Sequence, residues 1–131
     1  SEEEAFAAAE ATYRAYVDES NRLLAGEESA SPLRFLRGQA LSDEEEVQKL
    51  LSESGRRLTG KFEIKSFDGE SWTSTQVQAF VCLDLSQVKL ESADGETPSP
   101  ENRAPENRLE VRMSGASEPK IISSVLRSES C

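Results

Sequence analysis

"SWTSTQVQAFVCLDLSQVKLES", residues 71–92, is the stretch whose reading decides the fold. Val77, Ala79, Val81, Leu83 and Leu85 occupy every second position, the spacing of a strand with one buried face, while Val88 and Leu90 fall on the other parity. The pattern predicts one long strand, bent by a β-bulge near Ser86 and Gln87. Asp84 alternates with Leu83 and Leu85 and is expected to point away from their face.

The period of two extends to both sides. Upstream, "GKFEIKSF" (60–67) sets Phe62 and Ile64 against Lys61, Glu63 and Lys65, and "DGE" at 68–70 reads as a hairpin turn. Downstream, "ADGETPSPENRAPENR" (93–108) is polar and proline-bearing and repeats PENR, so an exposed Pro-rich loop is expected over 92–107. "NRLEVRMSG" (107–115) and "KIISSVLRS" (120–128) supply the last two strands, giving four in all.

Before Leu58 the period is three to four. Phe6, Ala9, Tyr13, Tyr16, Val17, Ser20 and Leu24 share one side of an amphipathic helix expected over 3–25, with Glu10, Arg14 and Asp18 opposite and Gly26 as its stop. "SPLRFLRGQAL" (31–41) predicts a short second helix, capped by Ser31, opened by Pro32 and ended or kinked at Gly38. In "LSDEEEVQKLLSESG" (41–55), Ser42 and Glu45 form a capping box, Val47, Leu50, Leu51 and Ser54 line one face, and Gly55 closes a third helix. The carboxylates at 43–46 then sit where a helix dipole favours them, and no cation site is read there.

A chain of 131 residues supports one core, so 1–131 is read as a single domain. The net charge is −10: 13 acidic against 7 basic residues over 1–57, and 12 against 8 over 58–131. No basic stripe interleaves with aromatics, which speaks against nucleic acid and direct lipid binding. No apolar run approaches the about 18 residues of a membrane span. Histidine is absent, removing Cys-His catalysis and Cys/His zinc sites, and no phosphate loop, nucleophile elbow or metal-spacing motif is present. No cofactor, metal or catalytic set is therefore expected.

Two cysteines admit two buried thiols, half a metal site, a reactive thiol with a bystander, or one disulfide. A residue at the position of Cys131 frays unless tied down, and a free thiol there is a liability. A Cys82–Cys131 bond answers both difficulties; closing a loop of about 50 residues corresponds to roughly 4 kcal/mol of chain entropy. The disulfide is the favoured reading, and it implies an oxidising compartment: secreted, periplasmic or exposed on an envelope.

Three helices followed by four strands form the order of an α+β domain whose first helix lies in the concave face of a curved antiparallel sheet. "AEATYRAYVDESNRL" (9–23), "VCLDLSQVKLESADG" (81–95), the prolines before "NRLEVRM" (107–113), and "IISSVLRSESC" (121–131) resemble small secreted or lipoprotein-type domains of actinobacteria. Those belong to the cystatin-like, nuclear transport factor two-like superfamily, and most are of uncharacterised function. The resemblance runs over nearly the whole chain. Its most specific marks are the Tyr13 and Tyr16 helix, Cys82-Leu83-Asp84, and the Ser-Cys end; the polar second helix and the doubled PENR depart from it.

The resemblance implies three helices on a curved four-stranded antiparallel sheet, a cone-shaped pocket between helix 1 and the sheet, and a signal peptide upstream, often with a lipid-modified cysteine. Tyr13, Tyr16, Glu63, Trp72 and Asp84 are the candidate pocket residues. The expected function is that of a non-catalytic extracytoplasmic domain, secreted or envelope-anchored, binding a protein or small ligand, with a homodimer through the open sheet face as a further arrangement. The alternative is a small enzyme using Asp84, Glu63 or Tyr16 as base. A cone packed shut by Phe6, Tyr13, Phe62 and Val81 favours the first, and a carboxylate at the floor of an open cone favours the second.

Overall fold

The alanine-rich start of the chain has few side-chain rotamers to lose and forms helix α1, Glu2–Leu24; the Ser1 hydroxyl accepts from the Glu4 amide, and Glu2, Glu3 and Glu4 fill the positive first turn. The computed structural model describes residues 1–92, 104–115 and 118–131. Pro32–Phe35 forms a single 3₁₀ turn rather than a second α-helix. Helix α2 then runs over Gly38–Ser54 and closes on Gly55 in the left-handed conformation. Ser42 therefore lies inside α2 and caps nothing, and the expected capping box is not formed. Gly38, at φ +60°, is the joint that starts this helix instead of ending the one before it.

Among the described residues six strands follow: β1 (Arg56–Thr59), β2 (Glu63–Trp72), β3 (Gln76–Asp84), β4 (Lys89–Ser92), β5 (Glu106–Ser114) and β6 (Ile121–Ser128). The fold is α+β, and the described residues form two α-helices and two antiparallel sheets. One is four-stranded in the order β2-β3-β5-β6, and the other pairs β1 with β4. The long strand expected over 71–92 is thus two strands in two sheets. Its change of parity marks the crossing between them, where Asp84 Oδ1 accepts from the Ser86 amide at 2.8 Å and the Val88 amide donates to the Leu85 carbonyl at 3.0 Å. Gly60, at φ +88°, lies so close under this turn that a Cβ would fall 1.8 Å from the Gln87 carbonyl oxygen.

The hairpin turn is also displaced. "DGE" lies within β2, and the reversal is made by Thr73–Thr75, where the Thr73 amide donates to the Gln76 carbonyl and its hydroxyl accepts from the amides of Thr75 and Gln76. Gly69 serves packing: the Phe6 ring of α1 lies over it, and an added Cβ would stand 2.6 Å from Phe6 Cγ. A register shift between Gly69 and Ser71 bends β2 at that place. The Pro-rich loop expected over 92–107 lies, across 93–103, outside the described residues. The second PENR copy, Pro105–Arg108, enters β5; the Pro105 carbonyl accepts from the Leu85 amide at 2.7 Å.

The core lies between α1 and the concave face of the larger sheet: Ala9, Tyr13 and Val17 pack with Val77, Val81, Leu83, Val111, Met113 and Ile121. α1 contacts β2 and β3, and α2 contacts β6. The convex face is polar. There Lys65 pairs with Glu106, Arg127 with Glu110 at 2.6 Å, and the Arg108 guanidinium stacks over Phe80 at 4.3 Å. Cys82, buried on this side of β3, is bonded to Cys131 with a Cα–Cα separation of 6.0 Å.

Two stability measurements test this arrangement. Reduction of the disulfide is expected to lower the urea unfolding free energy by about 2–4 kcal/mol with little change in the native spectrum; an unchanged midpoint would mean that the bond constrains no part of the unfolded chain. Gly69→Ala is expected to cost about 1–3 kcal/mol, and the same substitution in a Phe6→Leu background distinctly less, because the clash is with that ring; strict additivity in the cycle would remove the explanation.

Candidate functional site

The C-terminal end of α1 is fixed by two side chains. Buried Glu19 accepts from the Ser31 amide at 2.8 Å and from Arg22 and Arg34 at 3.4 Å, tying the helix to the turn that follows. Asn21 imitates a neighbouring strand: its Nδ2 donates to the Phe62 carbonyl at 2.9 Å and its Oδ1 accepts from the Phe62 amide at 2.8 Å. Leu36 bridges to Ile121, and the Arg37 amide donates to the Ile121 carbonyl at 2.9 Å, so α2 starts from the edge of β6. The two helices are thereby held apart on one sheet face, and a hollow of about 230 Å³ remains between them.

Its walls are apolar. Tyr13, Tyr16 and Val17 come from α1, Ala40 and Val47 from α2, and Leu83, Leu109 and Ile121 from the sheet, with Phe62 and Leu36 at the sides. Polar groups are few: Ser20, Ser124, Asp43 and Glu44. Tyr13 and Tyr16 stand 5.8 Å apart between ring centres, and Tyr16 meets Phe35 edge-on at 6.5 Å. Burial, with Tyr16 adding to it, drives the Tyr13 phenol well above its ordinary value. Burial likewise pushes Tyr16 up to about 12; the nearby Glu44 charge works in the same direction and a hydrogen bond with Ser20 opposes both. Phenols held protonated in this way donate hydrogen bonds and do not serve as bases at neutral pH.

Glu44 is the ionisable group that the hollow perturbs from the acidic side. Half-buried on α2, its carboxyl is raised by desolvation, and a hydrogen bond with Gln48 only partly offsets this. Neither Glu44 nor Asp43 has a cationic side chain within ion-pair distance among the described residues; Asp43 accepts from Gln39 at 2.7 Å.

Of the five pocket residues expected from the sequence, Tyr13 and Tyr16 meet in the hollow and three do not. Glu63 lies outside it and pairs with Lys61 at 3.1 Å. Trp72, 40 % exposed, ends β2 away from the hollow. Asp84 is on the convex side, where hydrogen bonds from Ser86, side chain first and then backbone, hold its carboxyl below the ordinary range. Phe6 and Val81, expected to help close the cone, pack elsewhere in the core, and the carboxylates stand on α2 at the mouth instead of at the floor. Glu44 was readable from its spacing: it lies four residues after Ala40 and three before Val47, on the inward stripe of a helix that begins earlier than its false cap suggests.

The cluster of Cys82, Glu106 and Cys131 has metal-type donor atoms within 4.8 Å of one another, but both sulfurs are joined to each other and Glu106 is engaged by Lys65. As bonded, it offers no thiolate to an ion. Among the described residues no helix is long and apolar enough to cross a membrane.

The raised Glu44 carboxyl binds a proton more readily folded than unfolded, so stability falls as pH rises from the unfolded carboxylate value, about 4.3, through the folded one. Glu44→Gln is expected to raise the melting temperature at pH 7 by about 1–3 °C, a figure reduced for partial exposure, and to leave it unchanged near pH 3.5. A lower melting temperature at pH 7, read by calorimetry at both pH values, would show the carboxylate to be favourably solvated.

No family model matches the chain, and no curated protein matches it. Among solved structures, the crystal structure of the intermembrane space region of the chloroplast protein ARC6 is similar, with a TM-score of 0.54 at 14% identity, over 89% of this chain and 95% of that one. At that identity the likeness concerns the fold alone.

Proposed function

We propose that this chain is a non-catalytic extracytoplasmic binding domain of the cystatin-like, nuclear transport factor two-like kind, secreted or anchored at a cell envelope, and that it takes a small apolar ligand between its helices. The observation that carries the reading is the hollow itself, about 230 Å³ with apolar walls and a few polar groups, the usual composition of a ligand site. The Cys82–Cys131 bond supports an oxidising compartment. A small enzyme is the second reading, favoured by one observation: a carboxyl held above its ordinary range beside Tyr16.

Titration of the labelled protein with 2-phenylethanol, followed by amide chemical shifts, tests the proposal. Saturable shifts are expected at Tyr16, Val47, Leu109 and Ser124, and Ser124→Trp, which fills the hollow from an exposed strand position, is expected to abolish them while leaving the remaining spectrum in place. No saturable shift in the wild type, or shifts at the convex face unaffected by Ser124→Trp, would overturn the reading.

A further inference from the structure

The lining of the hollow is one-sided in charge. Asp43 and Glu44 stand at its mouth, and among the described residues no Lys or Arg lines it and the sheet contributes only Leu83, Leu109, Ile121 and Ser124. Among the described residues, Glu19 has Arg22 and Arg34, Glu106 has Lys65 and Glu110 has Arg127, while half-buried Asp84 is held by hydrogen bonds from Ser86. Glu44, with only a hydrogen bond from Gln48 to offset its desolvation, has no cationic partner among the described residues. A carboxylate against an apolar wall lacks what a desolvated anion needs, an ammonium or guanidinium at contact distance.

We infer that the hollow takes a small amine, its apolar body among Tyr13, Tyr16, Leu83 and Leu109 and its ammonium against Glu44. The inference rests on the reading of the hollow as a ligand pocket. Size bounds the occupant: 230 Å³ lies below the about 300–1,000 Å³ of pockets for drug-sized ligands, which leaves room for one ring or a short branched chain. The small volume, and not the surrounding surface, favours a free small molecule over a polypeptide: exposed Leu126 pairs with Leu109 and exposed Leu50 follows Val47 by one turn, so apolar surface continues past the hollow, but the space inside admits a single small group. The aromatic rings of the two tyrosines add faces on which a cation rests favourably.

Three probes of one shape separate the terms: 2-phenylethylamine, 2-phenylethanol and phenylacetate, titrated at pH 7 by calorimetry and amide shifts. The amine is expected to bind about tenfold or more tighter than the alcohol, as a charged hydrogen bond adds to the shared apolar contact, and the carboxylate weakest. In Glu44→Gln the amine is expected to fall to the level of the alcohol while the alcohol changes by less than about twofold, which shows that the hollow is intact. Equal binding of amine and alcohol by the wild type would leave the ligand pocket standing and overturn the amine. Binding of none of the three overturns both; if a peptide with adjacent Phe and Lys residues then bound, the occupant would be a polypeptide. The wild-type ranking decides the matter even if the variant does not fold.

Discussion

The molecule depends on how closely one helix approaches one sheet. Ala9 is fully buried and offers only a methyl group, and Phe6 lies on the bare backbone of Gly69, so α1 sinks into the concave face until Tyr13 and Val17 reach the centre of the core. A helix of 23 residues is about 35 Å long but only about 10 Å across, whereas four strands span close to 20 Å. One helix cannot cover such a sheet. α1 covers β2 and β3, α2 is brought to β6 by the bridge at Leu36, and among the described residues no third helix fills the strip between the two cylinders. The hollow is a consequence of that geometry.

The two faces of the sheet are held by different forces. On the concave face the contacts are apolar and non-directional, and the orientation of α1 is set by polar atoms at its end: Glu19 on the Ser31 amide, Asn21 on both backbone groups of Phe62. On the convex face the described residues form no second layer of helices, and Cys82 would lie bare. The tail after β6 returns across β5 to cover it, with the Cys131 amide on Glu106 and its sulfur bonded to Cys82. A two-layer domain so constructed gains from the crosslink where it lacks packing.

Local rules recover what local forces decide. The extent of α1, the alternation of β2, β3 and β5, the Gly55 cap and the cysteine pair can all be read from spacing and residue type. The misreadings share a cause. Gly69 has the chemistry of a turn but is small because Phe6 lies above it; Ser86-Gln87 has the parity change of a bulge, but the chain there leaves one sheet for another; Ser42 has a capping box on paper while Gly38 starts the helix four residues earlier. Each is settled by a contact distant in sequence. The same holds at the site: Tyr13 and Tyr16 announce themselves as aromatic groups on an inward stripe, but Glu44 shows its role only once the helix start is known and the sheet is opposite it.

Small and polar side chains keep the hollow open. Ala40, Ser20 and Ser124 stand where larger apolar groups would add contacts, and a void that lacks partner atoms forfeits dispersion energy along its whole lining. Glu44 adds a desolvated carboxylate at the same place. Both features work against the stability of the unliganded fold, and they meet in one site instead of being scattered over the core. A ligand that brings apolar surface and a positive charge relieves the two together, and because the hollow exists only when α1, α2 and the sheet are assembled, its binding energy adds to the folded state alone.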